Sequence, residues 1–139
     1  MSLRGRCACG NLQLHWQTVD YSIVPRACQC AYCLKRGARW VSKSGTRFAV
    51  SARDPNACHV ARQGSGIAEF HECLSCGSVV AVTALIDGNT YGALNSACLH
   101  NPRGFVSSVS TNPSALSPDE KRARWQDNWC CPAEVKVSR

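Results

Sequence analysis

The chain has 139 residues, about the length of one domain, and carries a formal net charge of +7 from 16 basic and nine acidic residues. No apolar run reaches the length of a membrane span, and Met1 to Arg6 contains no apolar stretch of the kind that opens a secretory signal. Eleven cysteines cannot all pair as disulfides, so a single reduced, cytoplasmic domain over residues 1–139 is expected, with no membrane partner.

In chain order, Asn11 to Trp16 alternates polar and apolar residues with the two-residue period of a half-buried strand. Further strands are expected at Arg39 to Val41, Phe48 to Val50, His59 to Ala61, Ile67 to Phe70, Val79 to Ile86 and Thr90 to Leu94. Turn residues separate them: Gly37, Ser44-Gly45, Asp54-Pro55-Asn56, Gly64-Ser65-Gly66 and Asp87-Gly88-Asn89. The stretch from Ser107 to Pro118 reads as a long surface connection. Ser117-Pro118-Asp119-Glu120 combines an N-cap serine, proline at the first helical position and glutamate at the third, and so predicts one short C-terminal helix running on through Lys121 to Gln126. The expected fold class is mostly β.

Seven cysteines fall into three tight groups: Cys7 and Cys9, then Cys28, Cys30 and Cys33, then Cys73 and Cys76. A single intervening residue is too short a loop for easy disulfide closure, whereas two thiolates on a tight turn can face one tetrahedral ion. Zinc is the first reading. Pairing the two separated doublets gives a closed four-cysteine structural site from Cys7, Cys9, Cys73 and Cys76, and leaves Cys28, Cys30 and Cys33 as three ligands of a second zinc. That triplet has two readings: an open catalytic site, or a second structural zinc closed by Cys58, His59, His71 or Cys98.

Seven bound thiolates against the charge of two zinc ions lower the net charge by three, to about +4. The basic residues are spread from Arg4 to Arg124, which describes a solvated surface, and no nucleic-acid partner is expected. Lys35 and Arg36, just after Cys33, are best placed to attract a small anion. Trp16, Trp40, Trp125 and Trp129 are read as packing residues, and the adjacent Cys130 and Cys131 as exposed thiols.

Gly5-x-Cys7-x-Cys9-Gly10, Cys28-x-Cys30-x-x-Cys33 and Cys73-x-x-Cys76-Gly77, followed by Arg124 and Asn128-Trp129, resemble the glutathione-dependent formaldehyde-activating enzyme family over nearly the whole chain. The resemblance implies a beta-tent fold with a structural zinc at Cys7, Cys9, Cys73 and Cys76 and a catalytic zinc at Cys28, Cys30 and Cys33. It also implies a carbon-sulfur lyase that joins glutathione, a small anionic thiol, to formaldehyde as S-hydroxymethylglutathione. Three thiolates leave zinc with a net negative charge, so such a centre acidifies water weakly and prefers a soft fourth ligand such as a substrate thiolate. The alternative is a zinc-stabilised binding module without catalysis.

Overall fold

The computed structural model describes residues 2–18, 20–62, 66–111 and 116–136. Two sheets carry the fold. The smaller holds β1 (Leu3–Arg6), β2 (Leu12–Trp16), β5 (Phe48–Ala52) and β11 (Ala133–Lys136), in the order β1-β2-β5-β11. The larger runs β10-β3-β4-β9-β8-β7-β6, from β3 (Arg26–Cys28), β4 (Trp40–Val41), β6 (Cys58–Ala61), β7 (Glu69–Cys73), β8 (Val79–Ile86), β9 (Asn89–Asn95) and β10 (Val109–Thr111).

The alternation in β2 works as the sequence implies: Leu12, Leu14 and Trp16 are buried while Gln13 is exposed. Its antiparallel register sets Leu14 against Val50 and Trp16 against Phe48, so the apolar sides of β2 and β5 enter the same core. Burying each such side chain contributes about 1.5–3 kcal/mol. The central strand β8 reads as a nearly continuous apolar run because both faces of the large sheet are covered. One core, containing Val80, Ala81 and Leu94, lies toward the small sheet. The other contains Val82, Ala84, Ile86, Phe70, Trp40 and Trp129, together with Cys28 and Cys33. β8 and β9 are joined by the two residues Asp87 and Gly88, both at positive φ, as a tight hairpin turn with Ile86 opposite Asn89 requires.

The mostly β class holds, but the described residues form two α-helices. α1 (Ala31–Arg36) starts within the cysteine triplet, with Cys30 at its N-cap and Gly37 ending it at φ 63°. α2 (Pro118–Asn128) has the full expected capping box: the Glu120 amide donates to Ser117 Oγ, and the Ser117 amide donates to Glu120 Oε1. Four strands also escape the sequence expectation: β1, β3, β10 and β11. β10 falls inside the stretch read as a surface connection; its parallel pairing with β3 places Thr111 beside Cys28. Of the Gly64-Ser65-Gly66 turn, the first two residues lie outside the described residues.

Candidate metal centres

Two turns build the four-cysteine cluster. Between β1 and β2, Cys7 to Gly10 folds back on itself: the Gly10 amide donates to the Cys7 carbonyl at 3.0 Å and the Leu12 amide to Cys7 Sγ at 3.2 Å. After β7 the same device recurs, with the Gly77 amide donating to the Cys73 carbonyl at 2.8 Å. Gly10 and Gly77 both sit at positive φ, which the return of each turn requires. These turns bring Cys7, Cys9, Cys73 and Cys76 together with all four sulfurs within 4.8 Å of one another. Cys7 Sγ lies 3.7 Å from Cys9 Sγ, and Cys9 Sγ lies 3.5 Å from Cys73 Sγ. A zinc–sulfur bond of about 2.3 Å places tetrahedral sulfurs about 3.8 Å apart, so the donor set fits zinc in kind, number and spacing.

The second cluster is local. Cys28 ends β3, Cys30 caps α1, and Cys33 lies in its first turn, its amide donating to Cys30 Sγ at 3.4 Å. The three sulfurs also lie within 4.8 Å of one another. Among the described residues no further His, Cys, Asp or Glu joins this group. His71 is instead buried with Nε2 2.8 Å from Thr83 Oγ1, and Cys98 lies by the other cluster, where burial and then the charges of Cys7 and Cys76 push its thiol up to about 12.

The thiols divide in the same way within each cluster. A hydrogen bond from Cys33 is the main cause that brings Cys28 down to about 6, with the positive charge of Lys121 adding to it. Cys33 moves up, because it gives that hydrogen bond and is buried, although the Trp40 side chain donates to it in the opposing direction. In the larger cluster, burial opposes ionisation of Cys76, but hydrogen bonds from Ser78 bring it down to about 6. For Cys9 the backbone of Asn11 acts downward, and the bond shared with Cys73, burial and the neighbouring thiols outweigh it, to about 11. In each cluster one thiol is drawn down and a neighbour pushed up, as crowded sulfurs that share hydrogen bonds require.

Around the triplet, Cys28 and Cys33 are buried in the core that also holds Trp40, Phe70 and Trp129, while Cys30 is half-buried at its edge. The expected Asn128-Trp129 pair serves this wall. Trp129 stacks on Trp125 at 4.5 Å, and the Asn128 carbonyl accepts from Ser42 Oγ, which accepts in turn from the half-buried Arg26 at the start of β3. Burial, with Arg124 nearby, holds the Arg26 guanidinium below its ordinary value. Arg36 is committed elsewhere: it pairs with Glu72 at 3.2 Å and lies 3.8 Å over the Tyr32 ring, so of the two expected anion-attracting residues only Lys35 stays exposed without an ion pair among the described residues. Lys121, on α2, adds the smallest of the influences that lower the Cys28 thiol, after the hydrogen bonds from Cys33 and Cys30. Lys121 and Trp125 lie four residues apart on α2, a spacing readable once the helix was assigned, and Trp129 follows as the C-cap.

The four tryptophans pack as expected, with Trp16, Trp40 and Trp129 buried. Cys130 contradicts its reading as an exposed thiol: it is fully buried between the sheets, where burial pushes it up and Thr46 Oγ1 lies 3.4 Å away. A cavity of about 740 Å³ lies against β1 and residues 98–102, with Arg4, Arg6 and His100 in its lining; another of about 240 Å³ lies beside His59 and His71. Neither is lined by the triplet. No helix is long and apolar enough to cross a membrane among the described residues.

No protein-family model matches the chain, and no curated protein does. Its structure is similar to the crystal structure of a Rhodobacter sphaeroides protein, with a TM-score of 0.58 and 23% sequence identity over 76% of this chain and 99% of that one. The similarity extends to the fold.

Proposed function

We propose that the chain is a zinc-dependent, carbon-sulfur lyase-type enzyme that handles a thiol adduct, with glutathione and formaldehyde joining as S-hydroxymethylglutathione the first reaction to test. The observation that carries this reading is the contrast in ligand number: four cysteines in one cluster, three in the other, with no further ligand-type side chain joining the three among the described residues. A bound zinc there would keep a substrate thiol deprotonated and nucleophilic. Cys28, Cys30 and Cys33 are the residues that would hold it.

The reaction balances without a redox partner. The thiol sulfur forms a bond to the aldehyde carbon, the carbonyl π bond becomes an oxygen lone pair, and the thiol proton ends on that oxygen. Holding both reactants in register is the protein's main contribution, because the addition also proceeds in solution. Lys121 favours an anionic thiol, and the Trp40, Phe70 and Trp129 wall shields Cys28 and Cys33 from water. The cysteine order with Arg124 and Asn128-Trp129 is the ground for placing the chain near the glutathione-dependent formaldehyde-activating family. A cytoplasmic location suits thiols that must stay reduced.

The test is exchange NMR on glutathione, formaldehyde and their adduct, with and without protein verified to carry zinc. Exchange faster than in solution, lost in Cys30→Ser, is the expected result. Exchange at the solution rate would overturn the lyase reading and leave the alternative, a zinc-stabilised binding module, which the four-cysteine cluster and the basic surface satisfy equally.

A further inference from the structure

β7 touches both clusters from opposite faces. Phe70 belongs to the core of the triplet, where it packs on Tyr32 with ring centroids 4.5 Å apart, and Glu72 reaches Tyr32 and Arg36 of α1. Cys73 faces the other core and belongs to the four-cysteine cluster. The pairing with β8 shifts between His71 and Glu72, so that Glu72 sits opposite Val79 while His71 sits opposite Ala81. Such a bulge re-aims the side chains beside it.

Glu72 is only 13% exposed and is bound from two sides. The Tyr32 hydroxyl donates to Glu72 Oε2, and Arg36 Nε approaches the same oxygen at 3.2 Å. Arg36 also lies over the Tyr32 ring, so the three side chains form one closed unit. Tyr32 and Arg36 both belong to α1, Tyr32 immediately before Cys33 and two residues after Cys30. A six-residue helix has too few hydrogen bonds of its own to hold its place. Its anchorage must come from packing and from this unit.

We propose that Glu72 is a positioning residue for the triplet: through Tyr32 and Arg36 it clamps α1 to β7, and so fixes Cys30 and Cys33 relative to Cys28 and to the strand whose end supplies Cys73. The inference rests on the triplet holding a metal, as proposed above. Outer partners that orient metal ligands commonly change metal affinity 10- to 100-fold when removed. The clamp would act mainly on the triplet's ion: although Glu72 directly precedes Cys73 in β7, its carboxylate is bound by Tyr32 and Arg36 of α1, and Cys73 is held on its other side by the turn that Gly77 closes.

The experiment uses zinc-loaded protein and follows zinc release to a chromogenic chelator, alongside thermal melting. Wild-type release is expected in two phases, the faster one absent in Cys30→Ser. Glu72→Gln, which keeps the shape and removes the charge, is expected to speed the fast phase about tenfold, with the slow phase and the melting temperature little changed. Tyr32→Phe is expected to do the same, and the double variant to exceed neither single one by much, as residues of one unit should. Cobalt(II) in place of zinc adds a spectroscopic readout, since a displaced cysteine shifts the visible bands of the triplet's ion. An unchanged fast phase in a folded Glu72→Gln protein would overturn the clamp alone. Equal acceleration of both phases with a lowered melting temperature would reduce Glu72 to general stability, and a wild-type protein with no phase that depends on Cys30 would remove the triplet reading and this inference with it.

Discussion

In the four-cysteine cluster, Cys9 and Cys73 meet from positions 64 residues apart, whereas all three thiols of the triplet lie between the end of β3 and the first turn of α1. The first cluster ties a β1–β2 turn in the small sheet to the β7 end in the large one. A metal there cross-links the two layers of the fold and adds its binding energy to folding. The triplet joins residues that the local chain already keeps together, so a metal there has little loop to close. Loss of the first is therefore a fold event, and loss of the second is a site event.

Cys76→Ser should give the largest effect. It breaks the closed set and should remove a large part of the roughly 5–15 kcal/mol that keeps a domain folded, visible as a collapse in melting temperature together with loss of zinc. Cys30→Ser should cost one zinc and any thiol-aldehyde activity while the melt shifts by only a few degrees. Equal melting shifts in the two variants would break the comparison.

Glycines sharpen the same contrast. A Cβ at Gly5 would lie 2.3 Å from the Cys98 carbonyl oxygen, a backbone atom that cannot swing aside, so Gly5→Ala should destabilise by about 2–3 kcal/mol in chemical denaturation. Gly37, beside the triplet, has nothing within 4 Å of that position, and Gly37→Ala should cost only about 1–2 kcal/mol for its positive φ. Ser117→Ala removes the α2 cap and should cost about 1 kcal/mol without changing zinc content. Lys121→Gln should be the smallest change, about 0.5–1 kcal/mol of weaker binding for an anionic thiol, read as a few-fold rise in KM at constant zinc.

The mostly β class and the division of seven cysteines into four and three were legible because they rest on period-two alternation and on ligand spacing. α2 was legible because its start carries a complete capping box. α1 was hidden: its N-cap is a cysteine, and its six residues are too few to display a helical stripe, although Gly37 after Lys35-Arg36 is a helix-stop signal. β10 and β11 pair in parallel with strands far back in the chain, and three or four residues such as Val109–Thr111 or Ala133–Lys136 have no pattern that announces a distant partner. The Glu72 unit was equally unreadable, since it depends on β7 passing beside α1 across the sheet.

The most direct test of the account is zinc stoichiometry under graded chelation, measured on wild-type protein and on Cys30→Ser. Two zinc ions per chain are expected, one lost to a mild chelator with the domain still folded and the other lost only as the domain unfolds, with Cys30→Ser holding the second alone. Two ions of equal lability, or a folded Cys30→Ser protein that still carries both, would contradict it.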